Sequence, residues 1–268
     1  MFSFEYKIFN QQIHHLPIHA CIFGYFGFGQ RIFYDFGIKA LLPVFIAVLT
    51  TTILDLLINY LRFKTLEFPY SAFISGLFIG GLLTQNLNWY VYVAAGSMAI
   101  LSKHIIKVHH RHIFNPANLG ILAVFLIFNS ANTWWDSSPL ILVLIFGIFI
   151  LWRLKRFDLG LSFLAAYYMI HLVLLLKDVS PLAHFKGLIA QGSTIFFFAM
   201  FMLIEPKTHP AARKQRIVYG VLVAIMLIGI EIYNPRFGIP FVLAVANLFV
   251  PLLNKISFEF REKATEVT

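Results

Sequence analysis

Charge is scarce in this chain, and cysteine nearly absent. Of its 268 residues only 12% are Asp, Glu, Lys or Arg, against 59% hydrophobic, and the mean hydropathy is +0.79. Soluble domains carry about a quarter charged residues, and a soluble fold of this length has too much surface to hide so many apolar side chains. The shortage excludes a water-soluble enzyme and a large soluble helical core. Cys21 is the single cysteine, which excludes an intrachain disulfide framework and a metal–thiolate cluster; flanked by apolar residues, it reads as packing. The opening MFSFEYKIFNQQIHHLPIHA lacks the charged start, clean apolar core and small-residue cleavage site of a signal peptide, so the chain is expected to be mature from Met1. No phosphate-binding Gly-rich loop, HExxH pair or nucleophile elbow occurs, and enzymatic status is left open.

What the chain does contain is apolar runs and 30 Phe, a composition suited to lipid-facing and interfacial positions. The expected fold is an all-α integral membrane protein forming one membrane domain over residues 1–268. Spans are expected at Ile38–Tyr60, Pro69–Thr84, Leu87–Ile106, Pro116–Phe128, Pro139–Trp152, Leu159–Leu176, Gly187–Ile204, Ile217–Tyr233 and Phe237–Leu253. A Gly-rich stretch holding Gln30 and Arg31, Ile18–Phe36, makes about ten. Several runs fall short of the roughly 20 residues needed to cross a bilayer. They read as short or broken helices ending inside the protein, or as spans completed by tilt and snorkelling ends.

Loop charge orients the chain. Arg62 and Lys64, then Lys103, Lys107 and Arg111, then Arg153, Lys155 and Arg156, then Lys207, Arg213, Lys214 and Arg216 fall in alternate connections. Lys255, Arg261 and Lys263 close the chain. The rule that cytoplasmic loops are the positive ones places these loops and the tail 254–268 in the cytoplasm, in a bacterial-type inner (plasma) membrane crossed many times. The net charge of +9 therefore reads as loops beside anionic lipid, with no nucleic-acid partner.

An internal repeat is visible. Ser75-Gly76-Leu77-Phe78 corresponds to Gly192-Ser193-Thr194-Ile195, and Asn115-Pro116 with Gly120 corresponds to Asn234-Pro235 with Gly238. Both offsets are just under half the chain. Repeat 1 covers about 18–128 and repeat 2 about 139–253, with five spans each, an odd number that makes the halves inverted. Such an architecture places its site between the repeats, near the midplane.

The candidate residues have two readings each. Asn115 and Asn118 flank Pro116 at a helix start, either as a plain N-cap or as a positive dipole end facing an anion. Ser75-Gly76 and Gly192-Ser193-Thr194 are either close-packing small residues or breaks where unwound backbone lines a central cleft. Glu205, before Pro206, pairs with Lys207 or Arg213, or serves the cleft. Asp55, inside a span, is costly in hydrocarbon and a functional candidate, with Arg62 two turns on as its expected partner or the interface as its refuge. Glu231 and His171 are read alike. His104, His109, His110 and His112 are interleaved with Lys103, Lys107 and Arg111, which would repel a cation; a headgroup-facing loop is expected, and no metal.

Taken in order, Ser75-Gly76-Leu77, Gly80-Gly81-Leu82-Leu83, Lys103-His104 and His112-Ile113-Phe114-Asn115-Pro116-Ala117-Asn118-Leu119-Gly120 resemble the first half of the RnfD/NqrB membrane subunits. Gly192-Ser193-Thr194, Phe201-Met202-Leu203-Ile204-Glu205-Pro206-Lys207-Thr208, Arg216-Ile217-Val218-Tyr219-Gly220 and Ala246-Asn247-Leu248-Phe249-Val250-Pro251-Leu252 resemble the second. The resemblance implies a subunit of a bacterial redox-driven ion pump that binds flavin, with a ten-helix inverted-repeat fold similar to that of small-solute channels. It implies partners among other subunits of a redox complex, besides the bilayer. It also implies a cleft lined by Ser75, Gly76, Asn115, Pro116, Asn118, Gly120, Gly192, Ser193, Thr194 and Glu205. Members attach FMN to the Thr of a Ser/Thr-Gly-Ala-Thr motif. The stretch Phe128–Asp136 here lacks that motif, and Thr133 stands in a Ser-Ala-Asn-Thr context without Gly or Ala in place. Noncovalent FMN or riboflavin is expected instead. Glu205 replaces the family's usual Asp and keeps the carboxylate. Two other functions stay open, a small-solute channel or transporter using the same cleft and a non-catalytic scaffold subunit.

Overall fold

The computed structural model describes residues 41–108, 111–130, 140–177 and 180–266, with side chains as far as Lys255. The Ile18–Phe36 stretch, His109, His110 and Thr133 lie outside the described residues.

Nine α-helices follow one another among the described residues: α1 (Leu41–Phe63), α2 (Tyr70–Leu82), α3 (Trp89–Ile105), α4 (Pro116–Phe128), α5 (Leu140–Leu154), α6 (Phe157–Leu175), α7 (Pro181–Phe197), α8 (Arg213–Tyr233) and α9 (Gly238–Glu266). A hairpin of two residues per strand, Lys107–Val108 against Arg111–His112, links α3 to α4. Helices at Leu41–Phe63, Phe157–Leu175, Pro181–Met202, Arg213–Tyr233 and Gly238–Lys255 are long and apolar enough to cross a membrane. The 13-residue α2 and α4 reach only about 20 Å at 1.5 Å per residue, against a hydrocarbon core of about 30 Å. The chain is an all-α membrane protein with short helices among long ones, as its hydropathy implied.

Helix α1 shows what solvation by lipid does to a sequence. Val44, Ala47, Thr51 and Asp55 face inward while Leu42, Phe45, Leu49, Ile53 and Leu57 are exposed. The outer stripe is therefore the more apolar one, the reverse of a soluble helix. On the inner side, α1 and α2 approach backbone to backbone. A Cβ on Gly76 would lie 2.6 Å from the Val48 Cα, and Gly80, one turn on, sits against Val44, the small-residue packing used where apolar burial gives no drive.

Contacts fix the helix directions. Thr50 and Thr51 meet Gly96 and Asp55 meets Lys103, so α1 and α3 run parallel. Asp158 meets Arg216, Ser162 meets Gly220 and Tyr167 meets Glu231, so α6 and α8 also run parallel. The C-terminal ends of α1 and α3 share one layer with the N-terminal ends of α6 and α8. Arg111 acts electrostatically on Arg156 as well as on Lys207, and Lys207 is in turn influenced by Lys103 and Lys107. The two pairs thus point in opposite directions.

Two expectations about helix ends change. Residues 181–186 belong to α7, which begins at Pro181 instead of near Gly187, because proline suits the first helical position. Helix α9 continues through the expected tail to Glu266. The exits from α1 and α5 pass through Lys64 and Lys155 at φ 55° and 54°, and α4 ends on Asn129 at φ 52°, the left-handed conformation that stops a helix.

Candidate functional site

Several buried polar residues, Asn115, Asn118, His112, Thr208 and Asn247 among them, gather at the start of α4. Asn115 caps this helix, its Oδ1 accepting from the Asn118 N–H at 3.0 Å, with Pro116 in the first turn where no N–H is needed. The Asn115 Nδ2 donates to the Met202 carbonyl at 3.4 Å. That carbonyl ends a π-helical turn, Phe198–Met202, in which Leu203 N–H donates to Phe198 O at 2.9 Å. The extra residue per turn breaks the normal ladder, a geometry common at functional sites.

Past the π turn the chain folds over itself, with Thr208 N–H donating to the Glu205 carbonyl at 3.1 Å. Glu205 Oε1 meets His112 Nε2 of the hairpin at 2.9 Å, while Oε2 is buried without a hydrogen-bond partner among the described residues. Asn247 of α9 closes the knot. With its amide nitrogen donating to Thr208 O (3.1 Å) and the Tyr219 hydroxyl (2.8 Å), its oxygen accepts from Asn115 N–H at 3.1 Å, and both amide atoms of Asn247 are satisfied. Asn118, fully buried, donates from Nδ2 to Pro240 O at 2.8 Å and leaves Oδ1 unpartnered among the described residues. The knot therefore joins the hairpin and α4 to the π turn, α8 and α9.

Cations crowd one side of the knot. Burial holds the Lys207 ammonium below its ordinary range, Lys103, Lys107 and Arg111 push it the same way, and Glu205 opposes. Lys107 is lowered by burial, then by Arg62 and Lys103, with Asp55 opposing. Beside them, Arg216 reaches Asp158 Oδ2 through Nε at 2.7 Å and Nη2 at 2.6 Å. His209 accepts from Arg156 Nε at 3.1 Å, with its Nδ1 on Pro210 O at 2.8 Å.

Of the residues singled out in the sequence, Asn115, Pro116, Asn118 and Glu205 come together here. Gly120 lies on the α4 face packed against Ala95 and Ala99 of α3. Ser75 donates to Ser71 O at 2.9 Å, and Gly76 packs on α1. Both lie inside continuous α2, and Gly192, Ser193 and Thr194 lie inside continuous α7. The helix breaks considered at those positions are thus not found there; the irregular turn comes just after, at Phe198–Met202. Asp55 is buried with Lys103 Nζ at 3.0 Å and His104 Nε2 at 2.6 Å, with Asn59 Nδ2 at 3.4 Å. These side chains, and not Arg62, are its partners. The histidines of this region separate: His104 serves Asp55 and His112 serves Glu205. No group of three His, Cys, Asp or Glu able to hold a metal occurs among the described residues.

Asn247, Tyr219 and Thr208 carry the knot but were not singled out as site residues, and His112 was read only as part of a headgroup-facing loop. The available signal was Asn247 itself, an amide in the apolar run Phe241–Val250; polar groups within a span demand partners.

A family model described as "NQR2, RnfD, RnfE family" matches the chain over residues 18–140 and again over 134–260. The D subunit of the ion-translocating oxidoreductase complex of Buchnera aphidicola subsp. Schizaphis graminum is 26% identical over 109 residues, covering 39% of this chain and 31% of that protein. The D subunit of the proton-translocating ferredoxin:NAD(+) oxidoreductase complex of Clostridium ljungdahlii is 27% identical over 120 residues, covering 44% and 34%. The matches span about a third of the length of these relatives.

Proposed function

This chain belongs to the NQR2, RnfD, RnfE family, and from that membership we propose that it is a membrane subunit of a redox-driven, ion-translocating complex, working with other subunits. The single observation that carries the reading is the knot itself, which lies among the sequence elements shared with the family. Asn115, Glu205 and Asn247 come from widely separated elements and meet where the first and second halves of the chain join.

We read the two halves as inverted repeats. The opposite directions of the parallel pairs α1/α3 and α6/α8 support this, as does the matched order of their elements. The basic layer is read as cytoplasmic. We read the C-terminal segment as lying on the same side, a reading supported by the Ala211 N–H donating to Asn254 Oδ1 at 2.9 Å.

For a cofactor we propose noncovalent FMN or riboflavin. The N terminus of α4 is a poor fit for a flavin phosphate, since Asn115 and Asn247 already take up the Asn118 and Asn115 N–H groups and Pro116 has none. The cation cluster is the better fit. Lys107, Arg111 and Lys103, the last also paired with Asp55, all act on Lys207 within a partly buried layer, and this repulsion favours an anion. Bound there, a flavin would supply one- and two-electron redox chemistry, and the protein would supply charge and position through Arg111 and Lys207.

The test is purification from native membranes under mild detergent, followed by acid precipitation. The expected result is co-purifying redox subunits and a yellow supernatant containing released flavin. A colourless chain would overturn the cofactor reading, and a chain that purifies alone and passes small solutes through liposomes without a redox donor would overturn the complex reading.

A further inference from the structure

At the end of the molecule opposite the basic layer, three helices bring titratable side chains into a string. Tyr167 and His171 lie on α6, thirteen residues or fewer beyond Asp158, so His171 stands about 20 Å from the basic layer along the helix. Glu231 is near the end of α8 and His184 in the first turns of α7. The Tyr167 hydroxyl donates to Glu231 Oε1 and Oε2 at 3.3 and 3.4 Å. His171 Nε2 is 3.4 Å from Glu231 Oε2, within ion-pair reach but off hydrogen-bond alignment. His171 Nδ1 faces His184 Nε2 at 3.2 Å.

A carboxylate and two imidazoles inside membrane helices are costly unless they pair or do work. Here their order is informative. His184 is half-buried at the edge of the bundle, His171 is buried, and Tyr167 is almost completely enclosed. Beyond Tyr167 the string stops among the described residues. Its ring stacks on Phe163 at 5.9 Å, and Phe163 meets Phe198 of the π turn edge-on at 5.2 Å. The inner side is a wall of aromatic rings, and the half-buried His184 stands toward the edge of the bundle.

We propose that His184, His171 and Glu231 form a proton relay that loads a carboxyl site at Glu231 from the face opposite the basic layer. The ring nitrogens suit the step. A proton on His184 Nε2 passes to His171 Nδ1, forming one N–H bond as the other breaks. His171 then releases the proton from its Nε2 to Glu231 Oε2, and the Tyr167 hydroxyl hydrogen-bonds to the carboxyl group throughout. No electron or co-reactant is needed. The misaligned His171–Glu231 link is the point where the ring must rotate slightly before transfer. Among the described residues, the elements of the string also carry Lys177 just past α6, Lys186 on α7 and Tyr233 at the end of α8. Helix α6 adds Tyr168, whose ring meets that of Tyr167. Helix α5, which packs on α7, carries no titratable residue from Leu140 to Trp152. Arg236, in the loop after α8, is engaged by Asn129 and lies over the Phe125 ring.

The relay goes beyond the proposed function and is tested on the isolated full chain in nanodiscs, with no redox partner, so its failure is separate from failure of that reading. Time-resolved infrared spectroscopy after a pH jump follows the carboxyl band assigned by its absence in Glu231→Gln. In His184→Gln, a change at the half-buried edge, protonation of Glu231 is expected to slow at least tenfold, and likewise in His171→Gln. Lys186→Gln, exposed on the same helix as His184, leaves the rate unchanged. Equal rates in the parent and both histidine variants, with the fold intact by circular dichroism, would overturn the relay. So would a Glu231 carboxyl that never protonates.

Discussion

Asn118 donates from Nδ2 to the carbonyl oxygen of Pro240 at 2.8 Å, joining the third residue of α4 to the third residue of α9. The bond ties the two halves directly and is asymmetric, because the Asn118 Oδ1 has no partner among the described residues. Replacement by Ala removes one buried hydrogen bond, and the expected loss is about 1–2 kcal/mol. Asn118→Asp should be much worse. It sets a carboxylate against a carbonyl in a fully buried position, and burial of an unpaired charge costs several kcal/mol. Thermal unfolding in detergent is expected to rank the parent above Asn118→Ala and that above Asn118→Asp. An Asp variant as stable as the Ala variant would mean water reaches the knot.

The buried group at Asp55 makes a second prediction. Asp55 is 1% exposed and touches both Lys103 and His104. Removing one member of a buried pair strands the other, at about 3–5 kcal/mol, so Asp55→Asn alone should destabilise strongly by leaving the Lys103 ammonium without its carboxylate. The double change Asp55→Asn with Lys103→Met removes both charges and should recover most of the loss. A double-mutant cycle on unfolding in detergent measures the coupling. Additive single effects would show that the pair contributes no more than a surface contact.

Much of this architecture is legible in the sequence, because a lipid-solvated helix declares itself by composition alone. The limits of α4 could be read from Asn115-Pro116 and from the apolar run ending at Phe128, since capping is local chemistry. Partnerships were harder. Arg62 looked like the mate of Asp55 because it lies two turns along the same helix, whereas Lys103 and His104 come from α3, 48 and 49 positions away. The same distance hid Asn247, whose three partners belong to three other segments. Ser75-Gly76 and Gly192–Thr194 were read as breaks or as packing because small residues serve both purposes, and only the neighbouring backbone decides. At Gly76 that neighbour is α1, and the packing reading holds.

His209 makes a pH-dependent prediction. Burial pushes its pKa from an ordinary value of 6.5 down to about 3, and Arg156, Arg216 and Arg111 add to the effect while the Pro210 carbonyl opposes it. The ring is neutral in the folded protein, with Nδ1–H on Pro210 O and Nε2 accepting from Arg156. Its folded-state pKa is lower than the unfolded one, so its stabilising contribution is full above about pH 6.5 and declines as pH falls toward 3. The decline approaches about 1.4 kcal/mol per pH unit from this one group. His209→Asn should flatten that part of the stability profile in detergent between pH 6.5 and 4, even if it lowers stability at pH 8. An unchanged slope would mean that His209 takes up its proton in the folded state.

Two glycines on apolar helices, one on short α4 and one on long α8, should respond in opposite ways to the same substitution. A Cβ on Gly120 would run into the Ala95 carbonyl oxygen and come within 3.1 Å of the Ala99 Cβ, and a carbonyl held in the α3 ladder cannot step aside. At Gly229 the same Cβ meets nothing within 4 Å. Gly120→Ala should therefore force α3 and α4 apart, at about 1–3 kcal/mol, and loosen the cap at Asn115 that holds Met202. Gly229→Ala fills open space in an unstrained helix. It should be neutral or stabilising by up to about 1 kcal/mol, the difference in helix propensity between the two residues. Unfolding midpoints of the two variants in one detergent give the answer directly. Equal destabilisation would place the cost in helix flexibility and not in the α3–α4 contact.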